Sequence, residues 1–539
     1  MESKMNEFIK ITEGEKVALI DPVGKVCLGV SKRFADNLDK PEFQEKLFPV
    51  WEQQTEFVKE IEKNHEKINT VYLMVTRKCN MNCDFCAISA NDKLRPEKEF
   101  KLEDIQNKVI PFFQKNKPHK MILTGGEPLI KDQIVEIAKA LRNGLTCPIT
   151  LQSNGLAITE ELTEQLKGYI DEIDFSTMHM FGTPEKEQQL IKHIEMCQQA
   201  GIKVVLTFIY EKTNEMDLYR LIDIAAKYDI DVLFNIVSSV GRAKENSEIL
   251  TDMEHLDMNL KIVKYILNQG YEDKKIGGAF YQRVQVRNSC GGYGKVMAIF
   301  PEGDIYMCQC MEQNQVRMGN ILSDEPQKIL QELENLLKKD EIKRLFCAEY
   351  KEICKECDYR YICGGHCLAS EEPYDYRCIF LKAVLNYVLF YYDSKANRRK
   401  NLEIYIEYME EVKRYQKLGN TDIDVSVIAL GTWGLGGGSV WTDRDSTVEG
   451  TGNLLDSCRE YGINYIDTAP VYGTGASEEL LGRALKGRRQ DFILQSKCSL
   501  NWRNEGGNFH YERDGYTVNN DTRAASGKKD DEDSLRRTQ

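Results

Sequence analysis

Three cysteines lie close together in the stretch VTRKCNMNCDFCAIS, with three and then two residues between them. They are Cys79, Cys83 and Cys86. A cubane of four irons held by three thiolates keeps one iron free of protein ligands, and that iron can chelate the amine and carboxylate of a small molecule. An electron-transfer protein with four cysteine ligands has no such iron. The spacing therefore predicts a cluster that does chemistry on a bound molecule.

A structural zinc site is the alternative for this triplet. Such sites usually present paired CxxC units together with a fourth ligand, which is often a histidine. The nearest histidines, His65 and His119, do not stand at a suitable spacing. We therefore favour an iron–sulfur cluster.

The elements that would position this loop follow from the residues between about 66 and 280. Short apolar runs alternate there with amphipathic helical stretches at 132–143, 159–167 and 185–199, which is typical of a parallel βα array. The predicted strands are VYLMV, KMIL, PITLQ, EIDFS, VVLTF and DVLFN. The cysteine loop would follow the first strand, and in barrel folds the loops after the strands carry the chemistry.

The triplet resembles that of the radical S-adenosylmethionine (radical SAM) superfamily. It follows the apolar run Val71 to Val75, and the aromatic Phe85 stands just before the third cysteine. The resemblance implies an α/β fold with a partial, TIM-like (β/α)6 barrel, and an aromatic ring near the adenine. It also implies that the Cys79, Cys83 and Cys86 cluster is catalytic and reductively cleaves SAM to a 5′-deoxyadenosyl radical.

Further motifs fit the same resemblance. Gly125, Gly126, Glu127 and Pro128 follow a predicted strand and match the GGEP motif of the superfamily. Glycines let the backbone approach a ligand closely, and exposed amide or carbonyl groups there can bind the methionine amine. Gly241-Arg242-Ala243 is similar to a GRA motif after the sixth strand.

Polar residues close the next two predicted strands. They are Ser153 and Asn154 in the QSNG stretch, and Ser176 at the end of EIDFS. The resemblance implies that residues at these positions bind the carboxylate and ribose of SAM. Serine and asparagine also favour turns for local reasons, so both interpretations stay open.

A second set of cysteines crowds residues 281–384. Its spacing resembles the SPASM domain, a C-terminal domain of many radical SAM enzymes that modify peptides, and the resemblance implies two auxiliary four-iron clusters. The distal cluster would be held by Cys354, Cys357, Cys363 and Cys378, and the nearer one by Cys290, Cys308 and Cys367.

The fourth ligand of the nearer cluster is missing from its usual place, because residues 291–307 contain no cysteine. Cys310 or Cys347 could substitute for it. Otherwise one iron is open and could bind a substrate thiolate, which would hold the sulfur for attack by a carbon radical. The sequence leaves these alternatives open, with the open iron favoured. Five cysteines outside the motifs are expected to be small core residues: Cys27, Cys147, Cys197, Cys458 and Cys498.

The tail resembles another family, the aldo-keto reductases. Asp467, Tyr472 and Lys497 fall on that family's catalytic aspartate, tyrosine and lysine, and the tyrosine would be the general acid. About 125 residues follow Arg414, enough for three of the eight βα units of that barrel. We expect His510 to lie in a loop, the charged stretch GKKDDEDSLRRTQ to fray, and the tail not to be a reductase by itself.

Residues before the barrel suggest a small leading segment. A hairpin is predicted over 16–30 and a charged helix over about 43–67. In peptide-modifying relatives such a segment adds the precursor peptide as an extra strand, whereas a plain structural extension is the alternative. The predicted domains are 1–65, the radical SAM core at 66–280, the SPASM domain at 281–384, a helical linker at 385–413, and the reductase-like segment at 414–539.

Composition limits the partners. Lysine and arginine total 72 against 85 acidic residues, and the net charge of −13 opposes bulk binding to nucleic acid or anionic lipid. No segment reaches the roughly 18 apolar residues that span a bilayer. The N-terminus MESKMNEFIK has no apolar signal core, so we expect a cytoplasmic protein. In that reducing compartment the 17 cysteines suit cluster ligands better than disulfides, and because clusters with an open iron are oxygen-sensitive we expect an anaerobic cell.

The resulting hypothesis is an enzyme that modifies a peptide or protein side chain, with thioether formation in a ribosomally made peptide as the expected reaction. Its partners would be the peptide substrate and an electron donor of the flavodoxin or ferredoxin type. The alternatives are a formylglycine-type maturase of a sulfatase, another SPASM oxidation, and a non-catalytic multi-cluster electron carrier or scaffold.

Overall fold

The computed structural model of the protein divides into two compact units, residues 1–407 and 408–539. The described residues are 8–64, 68–91, 93, 99–237, 239–245, 250–278, 284–365, 367, 378–419, 421, 423–437, 446–502 and 506–538.

The first unit opens with a small antiparallel sheet, in the order β1-β2-β3, whose strands are β1 (Ile9–Glu13), β2 (Lys16–Asp21) and β3 (Val26–Ser31). The predicted hairpin is β2 and β3, and β1 was not predicted. One face of the sheet packs on α1 (Lys32–Ala35) and α2 (Pro41–Asn64). The other face packs on the cysteine-rich segment, where Ile11 and Ile20 contact Tyr361 and Leu385.

The central sheet has nine strands within the described residues. Six neighbouring strands are parallel, and they coincide with the six apolar runs predicted from the sequence. They are β4 (Ile68–Met74), β5 (Pro118–Thr124), β6 (Ile149–Ser153), β7 (Glu172–Ser176), β8 (Lys203–Tyr210) and β9 (Asp231–Ile236). The predicted α/β fold with a partial radical SAM barrel is thereby confirmed.

Helices connect these strands, as expected for βα units. They are α3 (Leu102–Asp104), α4 (Ile110–Lys115), α5 (Ile134–Gly144), α6 (Glu160–Leu166), α7 (Pro184–Gln199), α8 (Glu215–Tyr228), α9 (Asp252–Gln269) and α10 (Lys275–Gly278). Buried Leu141, Leu190 and Leu221 show the apolar face that three of these helices turn to the sheet.

The cysteine-rich segment extends the same sheet, which the sequence did not predict. Strand β10 (Val296–Ile299) pairs in parallel with β4, and the antiparallel strands β11 (Asp304–Tyr306) and β12 (Arg317–Asn320) follow it. Further helices are α11 (Pro326–Lys338), α12 (Asp340–Phe346), α13 (Arg360–Cys363), α14 (Cys378–Asn386) and α15 (Arg398–Arg414).

The helical linker predicted over 385–413 is broken. After α14 the chain forms a π-helical turn at Tyr387–Tyr391, and α15 begins only at Arg398. Asn401 stabilises the break, because its side chain accepts from the Asp393 N–H at 2.9 Å and donates to the Asp393 carbonyl at 2.8 Å.

The second unit contains the predicted three parallel strands among its described residues, in the order β15-β16-β17. Its elements are β13 (Tyr415–Lys417), β14 (Asp424–Ser426), β15 (Ala429–Gly431), α16 (Val448–Glu460), β16 (Tyr465–Asp467), α17 (Ala476–Ala484), β17 (Ile493–Gln495), β18 (Leu500–Asn501), β19 (Asn508–Arg513), β20 (Tyr516–Asn520) and α18 (Ala524–Thr538).

Three expectations for this unit were wrong. His510 lies in strand β19 and not in a loop. The charged final stretch forms α18, which is held by an ion pair of 2.7 Å from Arg537 to the buried Glu478. Cys498 is exposed and is therefore not a core residue.

None of the described helices is long and apolar enough to cross a bilayer.

Candidate functional site

The three cysteines of the CxxxCxxC motif lie in one loop directly after β4. Cys79 is buried, and its backbone N–H donates to the carbonyl oxygen of Asn91 at 3.1 Å. Cys83 and Cys86 are half-buried, and the Cys86 N–H donates to the Cys83 carbonyl at 3.3 Å. Burial, and then the charges of the other two thiolates, raise the pKa of Cys83 to about 11. A shared metal cluster would supply the positive charge that these thiolates need.

The GGEP segment pairs with the residues that lead into this loop. The Gly126 N–H donates to the Thr76 carbonyl at 2.9 Å, and the Glu127 N–H donates to the Lys78 carbonyl at 2.8 Å. A Cβ atom on Gly125 or Gly126 would overlap the carbonyl oxygens of Thr76 and Lys78. The glycines are therefore needed for the approach of two chain segments. The sequence predicted that backbone amide or carbonyl groups of this segment bind the methionine amine. The N–H groups of Gly126 and Glu127 already donate to carbonyls of the protein, which favours the carbonyl oxygens of the segment as partners of that amine.

The Glu127 carboxylate is fully engaged inside the protein. It accepts hydrogen bonds from the Ser153 hydroxyl at 2.8 Å, from the Asn154 N–H at 2.7 Å and from the Leu129 N–H at 2.9 Å. Burial raises the pKa of this carboxyl, although the three donors oppose the shift. Glu127 thus joins the end of β5 to the end of β6, and Pro128 opens the short 3-10 turn behind it.

The remaining predicted SAM contacts lie around the same edge. The Asn154 amide donates to the side-chain oxygen of Asn80 at 2.7 Å, and its nitrogen is 3.9 Å from the sulfur of Cys79. Ser176 is the half-buried last residue of β7, and Phe85 is half-buried within the cysteine loop. The sheet thus brings the predicted motif residues to one edge, and their roles as SAM ligands stay predictions.

The Gly-Arg-Ala motif after β9 holds the cysteine loop from the other side. Arg242 donates from Nε to the Cys83 carbonyl at 2.7 Å and from Nη2 to the Ala90 carbonyl at 2.8 Å. Its backbone N–H donates to the Cys86 carbonyl at 3.1 Å. A Cβ atom on Gly241 would overlap that carbonyl, so the position requires glycine.

Two supporting contacts were missed in the sequence. Arg77 binds the carboxylates of Glu302, at 2.6 and 3.1 Å, and Glu312, which lie in the cysteine-rich segment. Glu99 accepts from the Thr76 hydroxyl at 2.7 Å. The partners of Arg77 are more than 200 residues away along the chain, so no local pattern indicates them.

The first group of thiols in the cysteine-rich segment contains the residues predicted for the nearer cluster. Cys290 interacts electrostatically with Cys308 and Cys367. The backbone N–H of Cys310 donates to the Cys308 sulfur at 3.5 Å. Cys310 therefore belongs to this group by position.

The second group contains cysteines predicted for the distal cluster. Cys363 interacts electrostatically with Cys357 and Cys354. Arg287 donates from Nη2 to the Cys363 carbonyl at 2.7 Å, and the exposed Cys378 begins α14. The second group thus contains Cys354, Cys357 and Cys363, and the assignment of both sets of cysteines to clusters stays a prediction.

Across the described part of the chain, no three His, Cys, Asp or Glu side chains converge closely enough for a single metal ion. A four-iron cluster binds each thiolate to a different iron, so its cysteines stand farther apart than the ligands of one ion. Sets made only of thiols suit iron–sulfur clusters, and the three groups fit them by the chemistry of their donors.

A cavity of about 1460 Å³ lies between the small N-terminal sheet and the cysteine-rich segment. Strand β3 lines one side of the cavity through Cys27 and Gly29. The stretch 284–291, which includes Cys290, lines the other side. Strand β3 is an edge of its sheet. The cavity thus combines an edge strand with a cysteine of the first group.

The reductase-like residues are also brought together. Lys497 donates from Nζ to Asp467 at 2.7 Å and to the Tyr472 hydroxyl at 3.0 Å. The ring of Trp433 stacks on Tyr472 with centroids 6.2 Å apart. The second unit thus brings together the three residues predicted from the reductase resemblance, from the end of β16 and the loops that follow β16 and β17.

Residues 73–237 match the Radical SAM superfamily, and residues 427–535 match the Aldo/keto reductase family. Aldo-keto reductase YhdN of Bacillus subtilis (strain 168) is 44% identical over 94 residues, which are 17% of this chain and 27% of that protein. The chain thus spans about a quarter of the length of that reductase.

A second relative is GTP 3′,8-cyclase of Clostridium perfringens (strain SM101 / Type A), 26% identical over 270 residues, 48% of this chain and 79% of that protein. Among solved structures, Streptococcus suis SuiB bound to the precursor peptide SuiA matches with a TM-score of 0.44 and 16% identity, over 68% of this chain and 96% of that chain.

Proposed function

We propose, from the premise that residues 73–237 are a radical SAM domain and the tail an aldo-keto reductase segment, that this chain oxidises a side chain of a peptide or protein. A cluster held by Cys79, Cys83 and Cys86 would supply the reductive cleavage of SAM to a 5′-deoxyadenosyl radical, which takes a hydrogen from a substrate carbon. The expected product is a thioether from a cysteine sulfur to that carbon.

The protein's own part is to position SAM and to hold the loop that carries the cluster. Glu127 fixes Ser153 and Asn154 at the strand ends, while Arg242 fixes the cysteine loop through two backbone carbonyls. Such placement of reacting groups before the reaction is a large part of what an enzyme contributes.

The cavity beside β3 is the observation that supports a peptide as the substrate. An edge strand has unpaired N–H and C=O groups, and an extended peptide can bind there as an additional strand. The same cavity reaches Cys290, so a peptide held on β3 would pass the first group of thiols. The N-terminal segment would then be the peptide-binding module, and the auxiliary clusters would accept the electron left after oxidation.

The experiment is anaerobic reconstitution with iron and sulfide, reduction by a flavodoxin or ferredoxin, and addition of SAM with a cysteine-containing peptide encoded beside this gene. We expect 5′-deoxyadenosine and a peptide that has lost two hydrogens, measured by chromatography and mass spectrometry. Absence of 5′-deoxyadenosine from the iron-loaded protein would favour the non-catalytic electron carrier and would refute the proposal.

A second candidate is oxidation of a serine or cysteine to formylglycine. The position of Cys310, whose backbone N–H donates to the Cys308 sulfur at 3.5 Å, favours it, because a fourth cysteine beside the first group would leave less need for a substrate sulfur. A thioether product has lost a free thiol and does not react with iodoacetamide at that sulfur. An aldehyde product reacts with a hydrazide, so the two labels separate these reactions.

A further inference from the structure

The charged side chains that line the cavity beside β3 are mainly positive. Four cationic side chains and two carboxylates line it, and they are Lys16, Lys25, Arg287, Lys295, Glu15 and Glu62. This excess of positive charge is local, because the whole chain carries a net charge of −13. A cleft lined by one sign of charge concentrates ligands of the opposite sign. The cavity therefore attracts an anionic ligand in an otherwise acidic protein.

The side of the cavity formed by α2 is neutral and partly apolar. The carboxylate of Glu62 on α2 forms an ion pair with Lys25, in the turn before β3, so these two charges offset each other. Val58 and Ile61 line the same side, and 45% of the surface of Ile61 is exposed. This side is therefore suited to apolar side chains of a ligand.

The side of the cavity that faces the cysteine-rich segment carries the other three cations, Lys16, Arg287 and Lys295. Within the described part of the chain, none of the three forms an ion pair with a carboxylate. Lys16 donates from Nζ to the Phe390 carbonyl at 2.5 Å, and Arg287 donates from Nη2 to the Cys363 carbonyl at 2.7 Å. A neutral acceptor positions a cation without cancelling its charge.

These two sides correspond to the two faces of the N-terminal sheet. One face packs on α1 and α2, and the other packs on the cysteine-rich segment. Lys16 shares the second face with Ala18 and Ile20, which follow it at alternate positions of β2. Successive side chains of a strand point to opposite faces. A peptide paired with the edge of β3 therefore points every second side chain at the cations and the others at α2.

The backbones that carry two of the cations are anchored. The Arg287 N–H donates to the Tyr361 carbonyl at 2.6 Å, and the carbonyl of the next residue, Asn288, accepts from the Ala348 N–H at 2.9 Å. The Lys295 carbonyl accepts from two N–H groups near the start of β4, at 2.8 and 3.1 Å. Positioning a charge before the ligand arrives lowers the entropic cost of binding.

We propose that the cavity recognises an acidic segment of the peptide substrate, in which carboxylate side chains alternate with apolar ones. The carboxylates face Lys16, Arg287 and Lys295, and the apolar side chains lie against Val58 and Ile61. This inference rests on the peptide substrate of the proposed function and adds the chemistry by which the peptide is recognised. Recognition is then separate from the residue that is oxidised, which need not be acidic.

The test measures binding of labelled peptides to the full chain by fluorescence anisotropy. Three peptides differ only at alternate positions, which carry glutamate, glutamine or lysine, with valine and serine between them. We expect the glutamate peptide to bind about 10-fold more tightly than the glutamine peptide, as about 2-fold for each of three exposed ion pairs gives. The lysine peptide should bind most weakly. Raising the salt concentration from about 0.05 M to about 0.5 M should remove most of the preference, because salt screens exposed charges.

Equal binding of the three peptides would overturn the inference. Binding of none of them would also refute it, together with the cavity as a peptide site. Formation of 5′-deoxyadenosine by the wild-type chain separates these results from the proposed function. A chain that forms none but prefers glutamate would refute the enzyme and keep the recognition, whereas a chain that oxidises peptides without such a preference would do the reverse.

Substitutions locate the preference in the cavity. Lys295→Gln should weaken binding of the glutamate peptide about 2-fold and leave the glutamine peptide unchanged. Lys192→Gln, at an exposed position of α7, removes the same charge outside the cavity and is the matched control. An equal loss in Lys192→Gln would assign the preference to the overall charge and contradict the proposal.

A charge reversal gives a readout that a misfolded chain cannot produce. Lys295→Glu should bind the lysine peptide more tightly than the wild type does, and the glutamate peptide more weakly. A gain in affinity requires an intact cavity, so it distinguishes an altered preference from a loss of structure. Weaker binding of the glutamate peptide without any gain for the lysine peptide would count against a direct contact at this position.

Discussion

The carboxylate of Glu127 accepts a hydrogen bond of 2.8 Å from the hydroxyl of Ser153, and both side chains are buried. This contact joins the GGEP segment to the end of the neighbouring strand. Replacing Glu127 with alanine would remove the acceptor of three donors, two of which are backbone N–H groups. We expect the free energy of unfolding to fall by about 3 kcal/mol, because buried donors without partners are costly.

Urea unfolding measures this loss. Glu136→Ala, on the exposed face of α5, is the matched control and should change the free energy of unfolding by less than about 0.5 kcal/mol. Equal stability of Glu127→Ala and wild type would show that the three hydrogen bonds contribute nothing.

Replacing Arg242 with alanine should weaken the retention of the cluster. Its guanidinium donates to the carbonyls of Cys83 and Ala90, and alanine would remove these contacts with the middle and the final part of the cysteine loop. Partners of metal-binding segments typically contribute about 10-fold or more to metal affinity, so Arg242→Ala should lose iron to a chelator about 10-fold faster. Absorbance of the iron–chelator complex follows the rate. Arg220→Ala, at an exposed ion pair with Glu187, should lose iron at the wild-type rate.

The buried His193 should make the free energy of unfolding depend on pH. It is buried with 3% of its surface exposed, and burial lowers its pKa from 6.5 to about 4. Between these values the unfolded chain binds a proton that the folded chain refuses, so its contribution is present above pH 6.5 and is lost as the pH falls towards 4. The loss is at most about 3 kcal/mol.

His193→Leu should flatten that part of the pH profile, as measured by urea unfolding between pH 7 and pH 5. The neighbouring exposed Lys192 provides the control, since Lys192→Gln keeps the buried imidazole and should keep most of the slope. A slope unchanged in His193→Leu would assign the acid sensitivity to other groups.

Gly29 tests the cavity as the peptide site. A side chain at this exposed position of β3 would meet open space, so Gly29→Trp should fill part of the cavity without strain. We expect weaker peptide binding by fluorescence anisotropy, about 10-fold or more, with SAM cleavage in the absence of peptide unchanged. Gly29→Ala should bind peptide as the wild type does. Equal binding by Gly29→Trp would place the peptide elsewhere.

We expect no reductase activity, although the reductase-like residues lie close together. Lys497, Asp467 and Tyr472 are hydrogen-bonded, but three parallel strands in the described part of the second unit do not make the eight-stranded barrel that holds the cofactor of such enzymes. Full-length protein should not oxidise NADPH with small aldehydes in a spectrophotometric assay. Turnover that disappears in Lys497→Met would show an active reductase.

The barrel strands were predictable because each is a short apolar run between polar helices. The run VYLMV became β4 and KMIL became β5, and burial on both faces produces such continuous apolar patterns in the sequence.

Other features depended on distant partners. Strand β10 pairs with β4 across more than 200 residues, and its four residues carry too little pattern to be recognised alone. The charged α18 looked disordered because the buried carboxylate that pairs with Arg537, Glu478, lies 59 residues earlier.

The backbone pairing of Gly126 and Glu127 with Thr76 and Lys78 makes iron loading and SAM affinity interdependent. The two loops share one set of hydrogen bonds, so ordering either of them lowers the entropic cost of ordering the other. Thermodynamic reciprocity then requires that SAM strengthen the binding of iron by the same free energy with which iron strengthens the binding of SAM. Cells short of iron would therefore lose cosubstrate binding together with the metal, and abundant SAM would protect the centre during scarcity.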